Sequence, residues 1–284
     1  MKVVFTDNIT RNLLDVIKQA IPKAKELKFA VAFMKYSGFM LIEEDINRCL
    51  RNGSSIEFLV GLDFRTTDPK ALRLLNKLSS DGLPVKCYCF SDPSFGDTPV
   101  YHPKLYLLND GRNATITLGS SNLTAGGLKD NVEANAVITA ALKEEIVSDV
   151  YSLYGRLKFQ QSRFEPDLEY IDKYEEAYKK VQKRNVEALQ DRQTKEIIRQ
   201  LKRKEGVLPK PTPSKSELFG WMKLVYERLP SGPFRTSDMY CYEQVFQRVY
   251  PENRNITAKI RQQLQFLRDM GLVKNPGRDR WKKL

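Results

Sequence analysis

The chain has 284 residues, 41% apolar and 29% charged, with 15 Gly and 14 Pro, which excludes a disordered or fibrous protein and leaves apolar surface enough for buried cores, expected as two domains. Its 47 Lys and Arg against 35 Asp and Glu give a formal net charge of +12. That excess is uneven: residues 201–284 hold 18 basic and 8 acidic side chains and residues 1–200 hold 29 and 27, so the positive field gathers at the C-terminus and a polyanion is the expected partner.

Lys2–Thr6 reads as a strand. Residues 8–20 carry Ile9, Leu13, Leu14 and Ile17, with Ile21 just beyond, at the spacing of one helix face. A strand follows over 27–34, then a helix over 39–50 stopped by Arg51-Asn52-Gly53. Ser55–Leu62 is the next strand. Asp68-Pro69 opens a helix with proline at its first position, Ser80-Asp81-Gly82 closes it, and residues 85–90 return as a strand. This βαβα order predicts a largely parallel sheet with helices on its faces.

From residue 100 the rhythm changes to three strands, over 101–108, 114–119 and 132–138, the first two joined by the hairpin signal Asn109-Asp110-Gly111. A helix over 142–157 packs back on the sheet. Residues 165–205 are rich in Glu, Lys, Gln and Arg, with Tyr170, Tyr174, Ala177, Tyr178 and Val181 at helical spacing, which reads as one or two long exposed helices. The segment 206–216 holds three prolines in eleven residues and marks a domain boundary.

The last segment reads helix, helix, helix, ribbon. Leu218, Trp221, Met222, Val225 and Leu229 mark one apolar face, residues 242–249 a second, and Asn255 caps a third helix over 256–270 that ends at Gly271. Pro276-Gly277 turns a short basic hairpin through Arg280-Trp281-Lys282. The plan is a winged helix-turn-helix.

Cys49, Cys87, Cys89 and Cys241 match neither a paired zinc frame nor a disulfide scaffold. Reduced thiols in a cytoplasmic protein are expected, with Cys87 and Cys89 as strand packing residues. No apolar run reaches 18 residues, and residues 1–8 put acidic and polar groups where a signal peptide needs an apolar stretch, so neither export nor a membrane span is expected. The chain has a single histidine, His102.

Chemistry concentrates around it. Tyr101-His102-Pro103-Lys104-Leu105-Tyr106 precedes Gly119-Ser120-Ser121-Asn122 and then Glu133. On a strand, His102 and Lys104 share a face. An imidazole, a cation, an amide, a hydroxyl and a carboxylate, without an evident metal cage, are parts for cleaving a phosphodiester without metal or other cofactor. A weaker site candidate is the loop 61–68, where Arg65 or Thr66 touches nucleic acid or simply forms a polar turn.

At these residues the sequence resembles the phospholipase D superfamily, whose signature is HxK, a less constant Asp, and GSxN. The match covers His102-x-Lys104 and Gly119-Ser120-x-Asn122, and Glu133 falls where single-motif nucleases of that superfamily place a carboxylate. The position of the family's Asp is Asn109 here, with Asp110 one place beyond. The resemblance implies that His102 attacks phosphorus, that Lys104, Ser120 and Asn122 hold the phosphate oxygens, and that Glu133 accepts from His102 Nδ1 and fixes its tautomer. It also implies a second imidazole as proton donor, which a one-histidine chain obtains only from another copy, so a homodimer about a two-fold axis is expected.

Residues 236–284 resemble the winged-helix domain appended to several restriction endonucleases, most specifically in Asn-Ile-x-Ala-Lys-Ile-Arg-Gln-Gln-Leu from Asn255. Lys259, Arg261, Gln262 and Gln263 are the candidate groove readers, Arg278, Arg280 and Lys282 the candidate phosphate contacts. Trp281 either covers a groove edge or packs under the wing. The resulting expectation is an α/β phospholipase D-like catalytic domain over 1–160, a helical connector and proline-rich linker over 161–213, and a winged-helix domain over 214–284, acting as a metal-independent, restriction-type endonuclease on double-stranded DNA. A non-catalytic DNA-binding protein or helicase partner, and a phospholipid phosphodiesterase, are the rival readings.

Overall fold

A computed structural model describes residues 1–63, 66–91, 100–159, 163–208 and 214–284. The chain divides into two compact units, Met1–Glu196 and Ile197–Leu284.

The first unit runs β1 (Lys2–Thr6), α1 (Leu13–Ala20), β2 (Glu26–Val31), α2 (Tyr36–Met40), α3 (Glu43–Arg51), β3 (Ser55–Leu62), α4 (Pro69–Ser80), β4 (Val85–Ser91), β5 (Lys104–Asn109), β6 (Asn113–Gly119), β7 (Asn135–Ala141), α5 (Glu145–Lys158), β8 (Arg163–Phe164) and α6 (Leu168–Gln190), with α7 (Arg192–Val207) crossing the unit boundary. Eight strands form one sheet in the order β1-β7-β6-β5-β2-β3-β4-β8. Only β2-β3 and β3-β4 are parallel, which corrects the largely parallel sheet expected. The first strand, instead of neighbouring β2, crosses to the far edge and pairs antiparallel with β7.

One core lies between the sheet and α1, α3 and α4, where Phe29 packs on Phe58 and Tyr106 at centroid distances of 5.0 and 5.5 Å. The opposite face is covered by α5 through Val147, Val150 and Tyr154. Helix α6 docks beside α4: Ile171 and Tyr174 are buried, the Tyr174 hydroxyl donates to the Thr67 carbonyl at 2.9 Å, and Arg73 pairs with Asp172 and Glu175.

Several boundaries moved for local reasons. Helix α1 starts at Leu13, because the Asp7 carboxylate caps the backbone of Ile9 and Thr10 in a turn and Asn12 caps the helix. Ile9 is therefore exposed rather than on the buried face. The helix expected over 39–50 is two, since Glu43, Glu44 and Asp45 supply a fresh first turn that favours their negative charge. The strand expected over 101–108 begins at Lys104, Pro103 having no N–H for the ladder while its carbonyl accepts from Ala32 at 2.8 Å. The third of those strands begins at Asn135 and ends at Ala141. The prolines of the expected boundary, at 209, 211 and 213, lie outside the described residues, as does Arg65.

In the second unit α8 (Gly220–Glu227), α9 (Glu243–Val249) and α10 (Ile256–Asp269) enclose Val225, Met239, Phe246, Ile260, Leu264 and Leu267. β9 (Val273–Lys274) and β10 (Lys282–Lys283) pair antiparallel as the wing. Its tip takes left-handed backbone at Gly277, Arg278 and Asp279. Among the described residues no helix is long and apolar enough to cross a membrane.

Candidate active site

The end of the sheet where β2 stops and β5 starts gathers the motif residues. Although His102 precedes β5, its ring lies against the next functional side chain. Lys104 Nζ is 2.6 Å from His102 Nδ1 and 3.0 Å from Nε2, and donates to the His102 carbonyl at 3.0 Å. Partial burial, then the Lys104 charge, hold the imidazole below its ordinary pKa. A neutral ring is the nucleophilic form. Lys104 is itself buried, which lowers its pKa, while the Glu133 carboxylate acts in the opposite direction.

The neighbouring strand β6 delivers Gly119-Ser120-Ser121-Asn122 to the same end, β5 and β6 being paired from Leu105↔Leu118 onward. Glycine is required at 119, because a Cβ there would stand 2.3 Å from the Ala134 carbonyl and 2.4 Å from Asn135 Oδ1. The Ser120 hydroxyl donates to Glu133 Oε2 and accepts from the Ala134 N–H at 3.0 Å. Asn122, nearly buried, accepts the Phe33 N–H on Oδ1 at 3.1 Å, so its two Nδ2 donors remain for a ligand. Phe33 also joins the two halves of the site, its ring centroid lying 6.4 Å from that of His102.

Glu133 has other partners than the sequence suggests. Its carboxylate receives Ser120 and, at 3.4 Å, Asn131 Nδ2, while both nitrogens of the His102 ring face Lys104. In this chain it holds the serine, not the imidazole. Asn109 and Asp110 sit at the far end of β5. Asn109 donates to the Tyr151 hydroxyl at 2.8 Å, and Asp110 caps the turn by accepting from Arg112 and Asn113.

Sequence reasoning missed Asn135. Its Oδ1 accepts the Ser121 N–H at 3.2 Å, and its Nδ2 donates to Ser121 Oγ at 2.9 Å and Thr6 Oγ1 at 3.2 Å. The available signal was a lone amide among the β-branched and small residues of the strand Asn135–Ala141. Elsewhere, Thr66 donates from its N–H and its hydroxyl to the Asp63 carboxylate. Cys89 is buried, its thiol pushed well up by hydrogen bonding with Cys87 and by burial.

In the second unit, Arg261, Gln262, Arg278, Arg280 and Lys282 are exposed, Lys259 is partly so, and Lys259 Nζ donates to Gln262 Oε1 at 2.7 Å. Gln263 is withdrawn from this surface: it is 4% exposed, on the stripe of Ile260, Leu264 and Leu267, because positions three and seven along from Ile260 face the same way. Trp281 is also buried, its Nε1 donating to Thr236 Oγ1 and Asp279 Oδ1 at 2.9 Å. It packs under the wing.

An α/β unit with an HxK strand start beside a GSxN turn defines a class, and the sequence comparison names it. Residues 13–156, just over half the chain, match the family described as cardiolipin synthase, PLD-like domain, and the chain belongs to that phospholipase D-like family. Residues 216–283 match the Dam-replacing HTH domain, in agreement with the winged helix-turn-helix of the second unit. Among solved structures, NucT from Helicobacter pylori is similar at 16% identity and a TM-score of 0.46, over 58% of this chain and 99% of that one. Nuc from Salmonella typhimurium, a phospholipase D family member, is similar at 16% identity and 0.43, over 58% and 99%.

Proposed function

We propose that the protein is a metal-independent, restriction-type DNA endonuclease, with a catalytic domain over 1–160, a connector over 161–213 and a DNA reader over 214–284. The observation that carries this reading is the convergence of His102 and Lys104 with Asn122 and the Ser120–Glu133 pair at one end of the sheet. His102 attacks the phosphorus of a bound phosphodiester, forming an N–P bond as the P–O bond to the leaving nucleoside breaks. The leaving oxygen takes its proton from His102 of the partner subunit. Water then attacks phosphorus, giving its proton to that imidazole, and the N–P bond breaks to release a phosphomonoester and neutral His102. Lys104 and Asn122 donate to the non-bridging oxygens as charge grows there.

The second subunit is needed because the chain has one histidine. Exposed apolar side chains support it: Phe5, Ile9 and Val132 are 77, 68 and 81% exposed, and the segments that carry them are joined where the Glu133 N–H reaches the Asp7 carbonyl. Exposed apolar side chains near a two-fold axis can meet their own copies, as an isologous contact requires.

The test is cleavage of plasmid DNA in EDTA by wild type, by His102→Ala, and by mixed dimers of the two. Wild type should cut in EDTA, the variant should bind but not cut, and mixed dimers should be inactive. Cutting by His102→Ala at the wild-type rate would leave only a DNA-binding role for the reader; cutting by a demonstrated monomer ends the composite site.

A further inference from the structure

Between Ser120, which donates to Glu133, and Asn122, the turn residue assigned to phosphate, stands Ser121, which is fully buried and held at three atoms. Its N–H and its Oγ are bound by the Asn135 amide, and its carbonyl accepts the Tyr106 hydroxyl at 3.0 Å. Ser121 is the covalent neighbour of both, so whatever fixes its backbone N–H and carbonyl fixes where the Ser120 and Asn122 side chains start from. Asn135 is 3% exposed, and its bonds go to Ser121 and to Thr6, itself 2% exposed on β1. None of its capacity is directed at the site opening.

The anchor lies on a strand with no other visible part in the chemistry. Thr6 pairs with Asn135 in the ladder, and the two residues after it extend the same contact. The Asp7 carbonyl accepts the Glu133 N–H at 3.4 Å. Asn8 Nδ2 donates to the Gly127 carbonyl at 3.0 Å, and Gly127 lies so close under Asn122 that a Cβ on it would stand 2.5 Å from the Asn122 carbonyl. The edge strand thus reaches the motif loop at Asn135, Glu133 and Gly127.

We propose that Asn135, anchored by Thr6, is a positioning residue for cleavage: acting through Ser121, it holds Asn122 on the phosphate, and Ser120 against Glu133, without touching substrate. This rests on the reading of the Gly119–Asn122 turn as the phosphate site. A displaced donor costs rate rather than ground-state affinity, which the winged helix supplies, so the effect falls on kcat. Misplacement of about 1 Å is worth up to roughly a hundredfold.

The experiment compares Asn135→Leu, Asn135→Asp, Thr6→Val and the double variant Asn135→Leu/Thr6→Val in the full-length protein, by cleavage kinetics, DNA affinity and near-ultraviolet circular dichroism. Asn135→Leu should lower kcat by roughly ten- to a hundredfold with KM and affinity unchanged. Thr6→Val should lower it less, and the double variant should be no slower than Asn135→Leu, both lying on one chain of contacts. Asn135→Asp should recover most of the rate, since a carboxylate still accepts the Ser121 N–H and both hydroxyls can turn to donate to it. A folded Asn135→Leu with wild-type kcat, a change in KM alone, or losses that multiply in the double variant overturns the proposal. If Asn135→Leu does not fold, Ser121→Ala and Thr6→Val decide, and wild-type kcat in both overturns it. Asn122→Ala, measured alongside, separates the two levels: if it too cuts normally, the phosphate site itself is wrongly read, whereas an inactive Asn122→Ala beside an active Asn135→Leu removes the positioning role alone.

Discussion

Replacing Asn122 by Asp isolates one donor. The Phe33 N–H, 3.1 Å from Oδ1, fixes which end of the amide faces inward: turning it over would orphan a backbone donor beside a residue 8% exposed, at about 1–3 kcal/mol. Aspartate keeps that bond and nearly the same shape but deletes the Nδ2 donors. One preorganised donor to a developing oxyanion is worth about 2.7–4 kcal/mol, or roughly a hundred- to a thousandfold in rate. A carboxylate facing phosphate adds repulsion, about 4 kcal/mol for unit charges ~4 Å apart at an effective dielectric of ~20. Asn122→Asp should therefore cut at least roughly a hundredfold more slowly with a melting temperature near wild type. Asn122→Ala loses the same donors and also orphans the Phe33 N–H, so it should be slow and less stable. Single-turnover plasmid cleavage with enzyme in excess, DNA binding by anisotropy and thermal unfolding read the three quantities. Asn122→Asp that binds DNA and cuts within about threefold of wild type would refute the reasoning.

Because His102 is the only histidine, its Cε1–H resonance is unambiguous. It should titrate below the ordinary imidazole value and move upward in Lys104→Gln, though not fully, since burial is the larger cause. The composite site needs one His102 neutral to attack and its copy protonated to release the leaving oxygen, so cleavage should fall on both sides of that lowered value; titration at or above the ordinary value would count against the geometry. Gly119→Ala forces a Cβ within 2.3 Å of a carbonyl and should cost about 1–3 kcal/mol of stability together with cleavage, whereas a melting temperature equal to wild type would mean the turn yields freely. On the second unit, Arg261→Ala should relax recognition at one base position. Lys282→Ala should weaken all sequences alike and lower the salt slope by about one. Gln263→Leu, at a buried position, should leave sequence preference unchanged, and altered preference would restore that residue to the reading surface.

Legibility followed locality. Asp68-Pro69, Asn109-Asp110-Gly111 and Asn255 announce element ends by their own chemistry, and the structure uses Asp68 and Asn255 as caps. The pairing of β1 with β7 was invisible because its alternation is compatible with either sheet edge, and the partner lies more than a hundred residues away. Motif spacing located His102, Lys104, Ser120 and Asn122, but not what holds them. Asn135 reaches Thr6 and Ser121 through side-chain bonds that no spacing rule encodes. Gln263 misled for the opposite reason: its type suits a base edge, but its helical phase puts it inward.

Charge distribution separates holding DNA from cutting it. Residues 201–284 carry ten more basic than acidic side chains and residues 1–200 only two, and Lys104, the cation of the candidate site, is buried. On the proposed reading, counterion release on binding duplex DNA belongs mainly to the second unit and little to the first. Binding and chemistry should then respond differently to salt. As ionic strength rises, kcat/KM should fall steeply with the slope set by the reader's phosphate contacts, while the single-turnover rate at saturating enzyme stays nearly flat, since buried donors are weakly screened. A single-turnover rate that falls as steeply as kcat/KM would place the decisive phosphate contacts in the catalytic unit, and the division of labour drawn from the charge count would be wrong.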